Sequence, residues 1–308
     1  MGKIAFVFTG QGAQYSGMGQ ELTQVSPNAA RVFNTLDILR PGTSNQCFYG
    51  DRKTLSEPKN FHPCMYAVEI ACAAALGDIG IKADMTAGFS FGELAALTYA
   101  GGVDILTGFY LICKRGEYMQ KAAELNETSI FSVLRLSNDH VSELCSQFKG
   151  VYPVHFNCPG QVSVVGLKES MPDFMIAVKK AGGRALPLNL RSGFHSPFME
   201  TASEAFEKEL EGLTFKRPYI PIYSNLTGKA YPAKLNSIKD LLSRQISSPV
   251  QWERIIRNMI TTGADTFIEL GPGQKLCELI KKINPNVRTY SVADVLGLNT
   301  VLQEVEVC

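Results

Sequence analysis

A serine bracketed by glycines, between a strand and a helix, constrains this chain more than any other feature. The stretch Thr86–Gly102 reads TAGFSFGELAALTYAGG and contains Gly88-Phe89-Ser90-Phe91-Gly92, a G-x-S-x-G pattern. Residues 85–88 lead into it as a strand, and Phe91 to Ala100 continues as an alanine- and leucine-rich helix that stops at Gly101-Gly102. The glycines permit a strained turn, and the helix N-terminus beneath the serine offers backbone N–H groups and the positive end of a dipole. Ser90 is therefore a candidate nucleophile; the alternative is a serine that caps its own helix.

The elbow sits in a wider alternation of strands and helices. Lys3 to Phe8 reads as a buried strand ending at the loop Gly10-Gln11-Gly12, residues 64–76 as a buried helix, and Asp104 as the cap of a helix reaching about Glu124. This rhythm predicts an α/β core with a mostly parallel sheet. After Thr128 the order becomes β-α-β-β-α-β within some 65 residues, the split pattern of a ferredoxin-like fold. From Ser196 the core rhythm returns. The expectation is a hydrolase-like core formed by residues 1–127 and 196–308, with a ferredoxin-like subdomain, 128–195, inserted into it.

Bulk chemistry excludes several classes of function. The chain has 308 residues, 45% of them apolar and 19% charged, with a formal net charge of +1. Nothing there calls for nucleic acid or an anionic membrane, so any anion must be held by a few placed cations. The eight cysteines (47, 64, 72, 113, 145, 158, 277 and 308) have no C-x-x-C pair and no metal-ligand spacing, and read as reduced thiols. No metal and no bound cofactor is expected. The short apolar run near the start is no signal peptide, and no run of 18 apolar residues occurs, so a cytoplasmic location is expected.

A serine hydroxyl needs a base, and the chain offers four histidines: 62, 140, 155 and 195. His140 follows Asp139 at the start of a polar helix and reads as a surface residue. His155 alternates within a strand and reads as a packed or edge residue rather than a catalyst. His62 precedes Pro63 at a helix start, where a solvated histidine is the simplest reading. His195 lies in the irregular loop RSGFHSPFM where the inserted segment returns to the core, and is the candidate base. Asp104, Glu117, Asp139 and Asp173 lie between Ser90 and His195, but none stands at a strand end, so a backbone carbonyl could orient the imidazole instead. Two N–H donors are needed for the oxyanion, from Phe91 after the serine and from Gln11 in the first glycine loop. That loop is no dinucleotide cradle, because Tyr15 stands where the third glycine of G-x-G-x-x-G belongs. Arg115 falls on the edge of the apolar stripe Ile105, Phe109, Ile112 and Met119. Such a guanidinium is either half of a core ion pair or a fixed fork for a substrate carboxylate.

Together these pieces resemble the malonyl-CoA:acyl carrier protein transacylases of bacterial fatty-acid synthesis and the related acyltransferases of polyketide synthases. The likeness runs through Phe8–Gly19, Gly88–Glu93, Lys114–Gln120, Gly160–Gly166, Gly193–Met199, Pro249–Trp252 and Glu269–Leu276. It implies Ser90 as acyl acceptor, His195 as its base, and the Gln11 and Phe91 N–H groups as oxyanion hole. It further implies Arg115 as clamp on a malonyl carboxylate, and the Gln251 backbone carbonyl as the group holding the His195 ring. The implied reaction is ping-pong: malonyl-CoA, a CoA thioester, acylates Ser90, and the phosphopantetheine thiol of an acyl carrier protein collects the malonyl group. Two positions depart from the family pattern, Phe89 where G-H-S-x-G has histidine and His62 where a glutamine precedes the proline. Phe89, Phe194, His62 and Met119 are the expected acyl-pocket residues. Phe194 matches the form associated with malonyl selection, a discrimination of only ~1–3 kcal/mol for one methyl group. Lys114, Lys121, Arg191 and Lys275 are candidates for docking an acidic carrier protein and CoA phosphates. The competing readings are a stand-alone polyketide acyltransferase, a serine thioesterase and a non-catalytic carrier-protein-binding module.

Overall fold

The computed structural model describes residues 2–188 and 193–305. Arg191, a docking candidate, lies outside the described residues. Among them are the strands β1 (Lys3–Phe8), β2 (Met85–Gly88), β3 (Thr128–Leu134), β4 (Val151–Cys158), β5 (Gln161–Leu167), β6 (Arg184–Leu188), β7 (Ile222–Tyr223), β8 (Ala264–Leu270) and β9 (Arg288–Val292). They form two sheets, one in each of two compact units.

The first unit runs up to Glu117 and adds Leu213–Tyr223 and the chain from Met259 on. Its sheet has the order β7-β2-β1-β8-β9, and each neighbouring pair is parallel. Ala5 to Phe8 of β1 are fully buried, as a central parallel strand covered on both faces requires. From β1 the chain steps outward to β2 and β7, then returns to the other side of β1 through β8 and β9. The loops leaving β1, β2 and β8 therefore open at the point where strand order reverses, the usual place for a ligand on such a sheet. These loops are Gly10–Gly12, the Ser90 elbow and Gly271-Pro272-Gly273. The helix Pro58–Asp78 carries Pro63 inside it, and its segment from Asn60 to Ala73 is buried.

The second unit comprises Tyr118–Gly212 and Ser224–Asn258. Its sheet has the order β4-β5-β3-β6, antiparallel throughout. The helices Asn138–Ser146 and Met171–Lys180 pack Val141, Leu144, Phe174 and Val178 against Val133, Val162 and Val164. This is the ferredoxin-like subdomain expected from the β-α-β-β-α-β rhythm.

The compact unit that holds this subdomain also takes in residues 118–127, 196–212 and 224–258. Val250 runs beside β4, bridging His155 in parallel, with Phe156 N donating to Val250 O and Val250 N to Val154 O, both at 2.9 Å. Ser203 Oγ donates to Ser243 O at 2.7 Å, tying the helix Glu200–Glu211 to the helix Leu235–Gln245. These pairings link residues far apart in sequence, which local rhythm does not reveal. No described helix is long and apolar enough to cross a membrane.

Candidate active site

Sterics build the elbow. A Cβ on Gly88 would lie 1.9 Å from the Gly92 carbonyl carbon, and one on Gly92 would lie 2.5 Å from Thr9 O. Only glycine fits at either place. Ser90 between them adopts φ 57°, the left-handed region a serine rarely occupies, and the surrounding fold holds that strain. The helix Gly92–Tyr99 starts directly behind it. Phe91 precedes this helix, so its N–H belongs to the donors that have no acceptor inside the helix. Phe89 N donates to Phe8 O at 2.9 Å, and the Phe89 ring packs so closely on Gly10 that a Cβ there would meet Cδ1 at 2.8 Å. Elbow and first glycine loop, with Phe91 and Gln11 respectively, are thus stitched together.

Arg115 meets the elbow from the helix Ile105–Ala123. It is 2% exposed, and its Nη2 donates to Ser90 Oγ at 3.4 Å. Burial lowers its pKa to about 10, opposed by the charge of Glu93, itself fully buried in the helix behind Ser90. The guanidinium therefore stays cationic at neutral pH while facing the serine hydroxyl. Both sequence readings of Arg115 have a counterpart: a core carboxylate supports its charge, and its Nη2 reaches the Ser90 hydroxyl.

His62 overturns the expectation of a solvated histidine. The helix begins at Pro58, a turn before Pro63, so His62 lies inside it and is 2% exposed. Its ring lies 4.2 Å from Phe61 and 5.2 Å from Phe91 between centroids. Burial, and then the charge of Arg115, push its pKa well below the usual imidazole value, so it is neutral.

In the second unit His195 is also strained and buried, with φ 59° and 1% exposure. Its N–H donates to Ile246 O at 3.2 Å, and Ser196 Oγ donates to Gly193 O. Nδ1 donates to the Gln245 backbone carbonyl at 2.9 Å, which puts the neutral ring's lone pair on Nε2 of this candidate base. The orienting carbonyl is thus that of Gln245 and not Gln251. Gln245 ends the helix Leu235–Gln245, where carbonyls lack helical donors. The Gln251 carbonyl is instead engaged by Ile255 N at 2.9 Å as the next helix begins.

A sequence model of the acyl transferase domain matches residues 5–301. This chain belongs to the acyl transferase family. It is 34% identical over 309 residues to the malonyl CoA-acyl carrier protein transacylase of Bacillus subtilis (strain 168), covering 98% of this chain and 97% of that protein. A crystal structure of malonyl CoA-acyl carrier protein transacylase from Clostridium perfringens ATCC 13124 superposes with a TM-score of 0.95 at 32% identity, covering 98% and 97% of the two chains. A malonyl-transacylase solved in complex with its type II PKS acyl-carrier protein gives a TM-score of 0.92 at 30% identity, covering 98% and 99%.

The remaining candidates of this acyltransferase fall as follows. Met119 is buried, and Phe194 is partly buried beside His195. Lys114 pairs with Glu117 at 3.2 Å and lies over the Tyr110 ring, while Lys121 and Lys275 are exposed. His140 is exposed as expected. His155 is the residue that sequence reasoning passed over: its ring stands edge-to-face with His195 at 5.2 Å, and burial lowers its pKa to about 4. It is half-buried in β4, where the register shifts between Pro153 and His155, and it bridges Val250 in parallel. Among the described residues no group of three His, Cys, Asp or Glu side chains is arranged to hold a metal ion.

Proposed function

We propose that this acyltransferase moves a malonyl group from malonyl-CoA to the phosphopantetheine thiol of an acyl carrier protein through a malonyl ester of Ser90. The observation that carries the reading is a buried, cationic Arg115 aimed at the hydroxyl of a strained elbow serine. A neutral acyl group has no use for such a cation, whereas a carboxylate can accept two parallel N–H bonds from it.

In this reading His195 Nε2 takes the Ser90 proton as Oγ attacks the thioester carbonyl. The developing oxyanion is met by the Gln11 and Phe91 N–H groups, and the helix N-terminus behind Ser90 favours the negative charge. His195 then returns the proton to the departing CoA sulfur. The carrier thiol enters next: His195 takes its proton as the sulfur attacks the ester carbonyl, and the same oxyanion contacts serve. The Ser90 Oγ–acyl bond then breaks as His195 returns the proton to Oγ. An ester between two thioesters lies near energetic balance, so the protein lowers barriers and excludes water. Phe89, Phe194, His62 and Met119 line the acyl pocket, and Lys114, Lys121 and Lys275 serve the acidic partner and the CoA phosphates. The carrier belongs to fatty-acid synthesis in the cytoplasm; the likeness to a transacylase bound to a type II PKS carrier supports a carrier of the same kind in either pathway.

Initial-rate kinetics with malonyl-CoA and phosphopantetheinylated carrier test the reading. Parallel double-reciprocal lines and a malonylated carrier are expected. CoA release with no malonylated carrier, water taking the acyl group, would overturn it in favour of a thioesterase.

A further inference from the structure

His62 carries a cost that its packing alone does not explain. Its Nδ1 is buried and has no hydrogen-bond partner among the described residues. An unsatisfied buried nitrogen of this kind is destabilising, and an apolar ring of similar size would avoid the penalty. What distinguishes the position is what the imidazole touches. One face of the contact is the Phe91 ring, directly after Ser90. The other is the backbone of Gly116, directly after Arg115, where a Cβ would meet Nδ1 at 2.5 Å and Pro58 O at 3.2 Å. The imidazole therefore spaces the elbow from the stretch of helix that presents Arg115, and Gly116 lacks a side chain where it does so.

We propose that His62 is a positioning and selectivity residue for Arg115: wedged between Phe91 and Gly116, it fixes how far the guanidinium stands from Ser90 Oγ and so sets the preference for carboxylate-bearing acyl groups. This inference rests on the reading of Ser90 as acyl acceptor and Arg115 as carboxylate clamp. A shorter residue at 62 lets the helix carrying Arg115 settle toward the elbow, and a Cβ at 116 pushes it away. Both changes misplace the fork for a malonyl carboxylate, while a neutral acetyl group, which makes no use of the fork, is affected less.

The test compares kcat/KM for acylation of Ser90 by malonyl-CoA and by acetyl-CoA in the wild type, His62→Ala, His62→Gln, Gly116→Ala and the His62→Ala/Gly116→Ala double variant. Melting temperatures are recorded beside the rates. His62→Ala and Gly116→Ala are each expected to lower the malonyl-to-acetyl ratio by at least about tenfold, mainly through KM for malonyl-CoA. His62→Gln, which keeps length and polarity, retains most of the ratio, and the double variant recovers part of it because the new methyl occupies the vacated space. A role in stability alone would lower the melting temperature and both rates together, leaving the ratio unchanged, and that result overturns the proposal. Should His62→Ala fail to fold, Gly116→Ala decides: an unchanged ratio there also overturns it. If the wild type forms no Ser90-dependent adduct, the underlying reading fails and this inference falls with it. A Ser90- and Arg115-dependent adduct whose selectivity ignores positions 62 and 116 overturns this inference alone.

Discussion

Arg115 Nη2 stands 3.4 Å from Ser90 Oγ, so the buried cation and the strained hydroxyl are supplied by two elements of the same unit. A guanidinium so buried is expensive, and the neighbouring Glu93 offsets only part of the expense. On the proposed function, a carboxylate that arrives with the acyl group completes a charge-assisted pair with the guanidinium.

Arg115→Ala therefore lowers acylation of Ser90 by malonyl-CoA by roughly a hundredfold or more, while acylation by acetyl-CoA is spared or rises. Intact-mass time courses with each thioester measure this. Equal losses with both donors would mean that Arg115 supports the fold and not the choice of substrate.

The pH dependence of that choice follows from the same residue. Burial lowers the Arg115 pKa to about 10, still well above neutrality, so the guanidinium stays cationic over the working pH range. The malonyl-to-acetyl ratio should therefore hold steady from about pH 6 to about pH 9. Initial rates across that range check this, and a ratio that falls within it would contradict it.

His155 makes two predictions separable by measurement. An edge-to-face ring 5.2 Å from His195 limits the orientations of the candidate base. His155→Ala should lower kcat by roughly tenfold, and His155→Phe, which keeps a ring there, should retain most of it. The second concerns acid stability. His155 has a folded pKa of about 4, below the ordinary unfolded value near 6.5, so the unfolded chain takes up the proton first as pH falls. Stability from this group is complete above about pH 6.5 and drains away as pH drops through about 4. Denaturant titrations across that window should show a shallower acid loss in His155→Phe.

Glycine substitutions test the elbow itself. Gly88→Ala puts a Cβ 1.9 Å from the Gly92 backbone and should cost about 3 kcal/mol or more, or prevent folding. Gly77→Ala, within the Pro58–Asp78 helix with nothing inside 4 Å, should stabilise by about 0.5–1 kcal/mol. Thermal unfolding of the two variants, with opposite signs expected, measures the contrast.

What the sequence disclosed and what it withheld divide along a physical line. The elbow was legible because its glycine requirement is local to five residues. The burial of Arg115 followed from spacings of three and four along one helix. The ferredoxin-like order β4-β5-β3-β6 followed from alternation and turn chemistry. The carbonyl that holds His195 was misassigned to Gln251, because the choice depends on where the helix Leu235–Gln245 stops and which carbonyls remain without donors. His62 was misread because Pro63 resembles a helix start, while the chain tolerates it one turn inside. The pairing of Val250 with Val154 and Phe156 was not legible, because it spans nearly a hundred residues of chain and has no local signature.

The most direct test of the central claim is the intact mass of the protein after exposure to malonyl-CoA, followed by addition of phosphopantetheinylated carrier. One malonyl adduct per chain is expected, absent in Ser90→Ala, that leaves the protein and appears on the carrier. CoA release without an adduct, or an adduct that persists in Ser90→Ala, would contradict it.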